Sequence, residues 1–279
     1  MSARHGWPGH GWWRWFAVWI ICRGACAIWF RIMHRWRRGD HVPLPAEGAI
    51  LYVANHQSFY DPPAVGCEVW KRPPAFLARR TLFDNRFFGA LIRFLNSIPL
   101  DQSGRGASAF RAALAELEAG RGVLIFPEGA RTRDGTMKRF SPGLMLLVRR
   151  AKPWVVPVGI DGAYDAYPMG ASRPRLGVPI TTRIGEPIRA ETLLAMSTEE
   201  ALDHLRRRVE ELRLACRAEL RERTGGRWPE PGPADRPWWE TGAESDAATS
   251  GGDEASGTPG TPGTPATPGT DPAGDARRD

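Results

Sequence analysis

The chain has 279 residues, 42% hydrophobic and 25% charged, enough for one large domain with a buried core plus accessory segments. Its 38 basic residues outnumber 31 acidic ones, giving a net charge of +7. The four cysteines, Cys22, Cys26, Cys67 and Cys216, show neither disulfide nor zinc-ligand spacing, which excludes a cysteine-built scaffold and predicts reduced thiols facing the cytosol.

The N-terminal segment, residues 1–40, carries 7 of the 12 tryptophans by position 36. From Trp12 to Cys22 it is apolar nearly all round, interrupted by Arg14, and Gly24 marks an expected break. Beyond that glycine, Ala25, Ile28, Trp29, Ile32, Met33 and Trp36 recur at helical spacing on one face, with Arg31, Arg35 and Arg38 on the other. A tryptophan-bearing apolar face opposite arginines describes an amphipathic helix lying in the headgroup region of a membrane. A transmembrane span needs about 20 apolar residues with few charges, and Arg14 and Arg23 count against it. A cleaved signal peptide fits poorly, because a charge splits the apolar run. The competing reading is a helix packed on the domain itself. The expectation is a membrane-associating segment that holds a peripheral or monotopic protein on the cytoplasmic face of the cell membrane.

Residues 41–228 read as one α/β domain. Strand-like runs occupy 49–54, 74–79, 122–126, 154–160 and 178–185; helix-like runs occupy 62–70, 86–95, 107–119, 143–151 and 199–222. Such alternation predicts a mostly parallel sheet flanked by helices, with ligands gathering beyond the carboxyl ends of the strands. The chain shows no internal repeat, Walker loop or Gly-x-Ser-x-Gly elbow.

Two motifs follow directly on strand-like runs. After Ala49–Ala54 comes Asn55-His56-Gln57-Ser58-Phe59-Tyr60-Asp61. An imidazole takes a proton near neutral pH, and a carboxylate nearby fixes its tautomer and stabilises its charged form. With no serine or cysteine nucleophile assigned to it, the His56–Asp61 pair suits a substrate that brings its own attacking hydroxyl. The plainer reading makes Asp61, which precedes Pro62 and Pro63, a helix N-cap and His56 a loop residue. The second motif is Phe126-Pro127-Glu128-Gly129-Ala130-Arg131, running on to Asp134-Gly135. Gly129 permits close backbone approach or positive φ, and Arg131 and Arg133 offer guanidinium forks suited to phosphate oxygens. Its plainer reading is a surface turn.

From Pro229 the composition turns to Pro, Gly, Thr, Ser and acids, and residues 229–279 are expected to be disordered, Trp238-Trp239 included. That tail carries net −7, leaving +14 on the rest of the chain. A body so basic favours anionic partners, here an anionic membrane surface and phosphorylated substrates. Nucleic acid fits the charge, but no recognised nucleic-acid module is present, so none is expected as a partner.

Together the two motifs resemble those of the glycerophospholipid acyltransferase family, which includes the 1-acylglycerol-3-phosphate O-acyltransferases. The family's Asn-His-x4-Asp motif matches Asn55, His56 and Asp61, and its Phe-Pro-Glu-Gly-x-Arg motif matches Phe126 to Arg131. Ile98-Pro99-Leu100-Asp101 and Val155-Val156-Pro157-Val158 fit two weaker blocks, so the resemblance covers roughly residues 40–190. Gln102 stands where the family usually has arginine, with Arg105 nearby, and Ser141-Pro142-Gly143 lacks a lysine common before that glycine. The resemblance implies a transferase that moves an acyl group from acyl-CoA or an acyl-carrier protein to a lysophospholipid. It further implies His56 and Asp61 as the catalytic pair, Glu128, Gly129 and Arg131 at the substrate, and no metal or cofactor. Two rivals use the same residues differently: a hydrolase that activates water, and a non-catalytic lipid-binding protein on the same fold.

Overall fold

The structure, a computed structural model, describes residues 12–39, 42–69, 71–100 and 107–240. Residues 1–11, Gln102, Arg105 and the Pro/Gly/Thr-rich run beyond Glu240 lie outside the described residues, as do the side chains of Arg14 and Arg38. Among the described residues seven strands form one sheet: β1 (Arg37–Arg38), β2 (Ile50–Ala54), β3 (Pro74–Arg79), β4 (Ser97–Leu100), β5 (Gly122–Ile125), β6 (Trp154–Asp161) and β7 (Thr181–Ile184). Their spatial order is β1-β7-β6-β2-β5-β3-β4. From β4 to β6 all neighbours are parallel; β7 runs antiparallel to β6, and β1 runs parallel to β7.

The helices are α1 (Trp12–Met33), α2 (Asp61–Glu68), α3 (Arg86–Phe94), α4 (Ala107–Glu118), α5 (Gly143–Ala151), α6 (Ala163–Ala166), α7 (Ala190–Leu194) and α8 (Thr198–Thr224). They cover both faces of the sheet. Ile50, Tyr52 and Ala54 of β2 share one core with Val156, Val158 and Ile160 of β6 and with Phe30, Val65 and Cys67 from α1 and α2. The alternate residues Leu51 and Val53 share the other core with Val123, Val155, Leu117 of α4, Leu147 of α5 and Leu205 of α8. Successive strand side chains point to opposite faces, so a strand covered on both sides reads as an unbroken apolar run, as residues 49–54 do. The expected α/β architecture, a mostly parallel sheet flanked by helices, is the one observed.

Two positions show why local sequence was fixed by packing. A Cβ on Gly159 would lie 2.5 Å from the backbone of Leu212 and Arg213, so only glycine lets α8 cross β6 there. The same helix opens on a capping box, with Ser197 and Glu200 each satisfying the other's backbone N–H, and closes on Gly225 at φ +62°.

The structure departs from expectation in three places. Helix α1 runs unbroken through Gly24, because that glycine sits where the helix needs no turn and no Cβ would be crowded. Its domain-facing side is Trp19, Cys26 and Phe30, while Ile21, Ala25, Ile28, Trp29 and Ile32 are exposed; Trp36, placed by periodicity on the exposed face, falls beyond the helix end and is buried. The helix is therefore apolar on two sides. Strands β1 and β4 are too short for a hydrophobic period to reveal. Finally, residues 229–240 belong to the fold. Ala234 is buried, Arg213 donates to its carbonyl at 2.9 Å, Arg217 pairs with Asp235 at 2.6 Å, and Arg206 lies 4.0 Å over the Trp238 ring. What holds this strap is paired charge and two arginine–tryptophan contacts, Arg206 over Trp238 and Arg207 over Trp239, which composition does not register.

Candidate active site

Strand β2 ends at Ala54, and α2 starts at Asp61. The intervening loop is pinned side chain by side chain. Asn55 donates through Nδ2 to the Ile160 carbonyl and accepts the Ile160 N–H at Oδ1, both at 2.9 Å, continuing the pairing with β6 beyond the end of β2. Gln57 donates to Asp161 at 2.9 Å and accepts the Tyr164 N–H at 3.2 Å. The Ser58 hydroxyl donates to the Tyr167 carbonyl at 2.8 Å. Asn55, Gln57 and Ser58 are buried, so each bond replaces water that the group has lost.

Asp61 is the first residue of α2 rather than its N-cap, a place taken by Tyr60 without a side-chain cap bond. Its carboxylate turns back instead. One oxygen, Oδ2, accepts from His56 Nδ1 at 2.8 Å, Gln57 N–H at 2.6 Å and Ser58 N–H at 2.7 Å. The capping expectation fails because the loop, not the helix, supplies the donors. The charge still sits at a helix N-terminus, where the helix dipole favours an anion. With its Nδ1–H donated to Asp61, His56 presents an Nε2 lone pair outward from a side chain that is 21% exposed. The imidazole stacks on Phe126, with ring centroids 4.1 Å apart and planes 17° apart.

The second motif grips the same histidine by its main chain. The His56 N–H donates to Glu128 Oε1 at 2.7 Å, and the His56 carbonyl accepts the Thr132 N–H at 2.9 Å. The other Glu128 oxygen accepts the Lys138 N–H at 2.9 Å. Burial pushes the Glu128 carboxyl up to about 8; the two N–H donors pull it down, and the nearby Asp61 charge adds to the rise. Gly129 takes φ +75°, and a Cβ there would meet nothing, so the glycine serves the turn rather than a close approach. The Arg131 guanidinium lies 3.7 Å over the ring of Phe59, from the first motif. Motifs some 70 residues apart thus meet at the carboxyl ends of the neighbouring strands β2 and β5.

The five residues singled out in the sequence divide by placement. His56 and Asp61 are hydrogen-bonded to one another; Glu128 spends both oxygens on backbone N–H groups; Gly129 makes the turn; Arg131 flanks the opening beside Phe59. Sequence reasoning missed Asn55, Gln57 and Ser58 as the pins of the loop and Phe126 as the floor under the imidazole. A run of polar side chains on a loop between two buried elements was the available signal. Among the described residues no group of three or more His, Cys, Asp or Glu side chains is placed to hold a metal ion.

An imidazole oriented by a buried carboxylate at the open end of an α/β sheet can take a proton from a hydroxyl delivered to it. Residues 38–161, which end with β6 and contain both motifs, match the family model described as Acyltransferase. The part of the chain that holds the site is thus similar to an acyltransferase domain. The chain is 26% identical over 173 residues to the 1-acyl-sn-glycerol-3-phosphate acyltransferase of Bacillus subtilis, covering 61% of this chain and 83% of that protein. It is 29% identical over 161 residues to the enzyme of the same name from Streptococcus pneumoniae, covering 57% of each. The crystal structure of the 1-acyl-sn-glycerophosphate acyltransferase PlsC from Thermotoga maritima superposes with a TM-score of 0.55 at 26% identity, over 77% of this chain and 80% of that one. Over these stretches the chain is similar to members of the glycerophospholipid acyltransferase family.

Proposed function

We propose that the protein transfers a fatty acyl group from an acyl-CoA or acyl-carrier-protein thioester to the free hydroxyl of 1-acylglycerol-3-phosphate, giving phosphatidic acid. The observation that carries the reading is His56, its Nδ1 fixed on buried Asp61 and its side chain part-exposed at the strand ends. The relatives named for that reaction support the acceptor.

His56 Nε2 takes the hydroxyl proton as the oxygen attacks the thioester carbonyl. The C–O bond forms, the carbonyl electrons move onto oxygen, and Asp61 stabilises the imidazolium. Collapse breaks the C–S bond. The leaving thiolate, whose thiol has a pKa near 8.5, takes the proton back from His56, so the products are ester and free thiol. No enzyme nucleophile enters this sequence. Arg131 would pair with the acceptor phosphate, since a guanidinium matches phosphate oxygens in charge and geometry. Gly129 would keep the main chain beside it turned. Glu128 acts one step back, by holding the His56 backbone.

The protein would work as a peripheral or monotopic enzyme at an anionic membrane surface on the cytoplasmic side. No helix among the described residues is long and apolar enough to cross a membrane. The support for surface contact is the exposed row Ile21, Ile28, Trp29 and Ile32 on α1.

The test is product analysis by mass spectrometry after incubating purified protein with mixed acyl thioesters and a panel of lyso-lipids. Phosphatidic acid formed from lysophosphatidate is the expected result. Free fatty acid released equally with and without acceptor would make the protein a hydrolase and sink the proposal. Ester formed only from another lyso-lipid would overturn the acceptor.

A further inference from the structure

Arg31, Arg35, Arg37 and Arg223, with Trp36 and Thr224, line one open cavity of about 540 Å³, and none of its lining side chains among the described residues is acidic. Arg223 is held in place: it pairs with Glu219 at 3.2 Å and donates to the Arg35 carbonyl. The guanidiniums of Arg31, Arg35 and Arg37 have no partner among the described residues. Burial and the neighbouring charge of Arg37 push the Arg223 guanidinium down from its ordinary value, a sign that like charges crowd the site. Concentrated positive charge of this kind disfavours the fold unless an anion neutralises it.

The backbone points the same way. Arg35 adopts φ +45°, a left-handed position where glycine or asparagine would cost less. The strain turns the chain from α1 into β1 while placing a guanidinium, rather than a hydrogen atom, at the rim.

What borders the cavity selects its occupant. Arg31, Trp36 and Arg37 also line an adjoining concavity of about 490 Å³ whose other wall includes Ala27 and Ile28. Ile28 opens onto the exposed apolar row of α1 that Ile32 continues. Arg37 pairs with Thr181, and Thr181 with Asp161 at the carboxyl end of β6, so the cavity lies along the same sheet edge as His56. The offset from β2 is three strand spacings, about 14 Å. A ligand with a phosphate for the arginines and acyl chains for the isoleucines fits; a free anion would leave the apolar wall bare.

We infer that this cavity is a binding site for the phosphate-bearing headgroup of an acidic phospholipid, separate from the acceptor site and serving to seat the His56 edge against the bilayer. The site is tested without acyl donor, so its failure is distinct from failure of the proposed reaction. Full-length protein is partitioned onto phosphatidylcholine vesicles with and without phosphatidylglycerol. The variant R31Q/R35Q/R37Q should lose about a hundredfold of the preference for acidic vesicles, roughly fivefold per arginine. Its partition onto pure phosphatidylcholine should stay as in wild type. R31Q/R37Q, which leaves the strained Arg35 untouched, should lose about thirtyfold and guards against misfolding of the triple variant. The control R149Q/R150Q/R173Q removes as many exposed charges elsewhere; an equal loss there would reduce the effect to bulk charge and overturn the site. Sodium phosphate and sodium chloride at matched ionic strength should release the protein alike. Release by phosphate alone would make this a soluble-phosphate site and overturn the lipid assignment.

Discussion

His56 is held by four contacts: the Asp61 carboxylate at Nδ1, the Phe126 ring beneath, and Glu128 and Thr132 on its main chain. None of them needs the imidazole for packing across the core. His56→Ala should therefore lower acyl transfer by about 10²- to 10⁴-fold with little change in the thermal midpoint. Asp61→Asn should be impaired nearly as far, through loss of charge and tautomer control; a variant that loses stability but keeps its turnover would reduce Asp61 to a loop staple. Glu128 offers a different readout. As a positioning residue its Gln variant should lower kcat while the acceptor KM stays near wild type, because the histidine shifts and the phosphate contact does not. A rise in KM alone would return Glu128 to the substrate. Its titration gives a second check. A folded pKa raised from the ordinary 4.5 to about 8 means that the native state holds a proton the unfolded chain has lost. The stability this confers is complete below pH 4.5 and is lost as pH rises toward 8. Wild type should thus lose thermal midpoint relative to Glu128→Gln between pH 5 and pH 8, and a flat difference would show an ordinary carboxylate.

At the scale of elements, hydrophobic period located most of what the chain builds. The runs read as strands at 49–54, 74–79, 122–126 and 154–160 match β2, β3, β5 and β6 within one residue at each end, because β2, β5 and β6 are covered on both faces and β3 packs Phe76 against one core and Leu77 against the other. The run 178–185 shrinks to β7 at 181–184, since Val178 and Ile180 enter the core as an approach segment rather than as ladder. The pair at the heart of the site was legible because Asn55–Asp61 and Phe126–Arg131 each occupy one short loop. The pins behind them were not, since Asp161 and Tyr167 lie more than 100 residues downstream of Gln57 and Ser58. Helix α1 shows the limit most plainly: period alone cannot say which of two apolar sides faces the domain. The assignment has separable consequences. Phe30→Ala should cost about 3 to 5 kcal/mol in urea unfolding, because the ring is 1% exposed. Ile28→Ser with Ile32→Ser should leave unfolding nearly unchanged and weaken partition onto vesicles. The reverse pattern would mean that the helix turns its other side to the domain. Deleting residues 1–38 is no clean test of membrane contact, since it removes Trp19, Phe30 and Trp36 from the core.

For the molecule as a whole, charge inside the body matters as much as charge on its surface. Arg217 reaches Asp161 at 3.1 Å and Asp235 at 2.6 Å, and Asp161 in turn accepts from Gln57. Buried Arg213 pairs with Glu210 at 2.7 Å and bonds the Ala234 carbonyl. The strap at 229–240 thus completes an ionic layer whose far side is the catalytic loop. A chain cut after Glu240 should unfold like the full-length protein. One cut after Trp228 should lose on the order of 3 kcal/mol, because arginines in the interior are left short of partners. Equal stability of the two would make the strap a passenger. Composition drew the boundary at 228 because Pro, Gly and acids dominate there; the few residues that bind, Ala234, Asp235 and Trp238, are outvoted in any average.

The two-sided apolarity of α1 bears on how the protein is made. The covered side of α1 and the turn that follows it rest on segments synthesised afterwards: Arg23 binds the Cys67 carbonyl, and beyond the helix His34 bonds Val178, Trp36 donates to Thr182, and the Arg35 carbonyl accepts from Arg223. Translation at about 5–20 residues per second puts roughly 10 to 40 s between the emergence of α1 and of its last partner. Until its partners have folded onto it both apolar sides are exposed, and a bilayer surface is a cover that fits such a helix without its domain. Nascent chains arrested near residue 100 should therefore sediment with vesicles more completely than the finished protein does. If they stay in the supernatant while the finished protein binds, the surface is recognised only once the fold is complete.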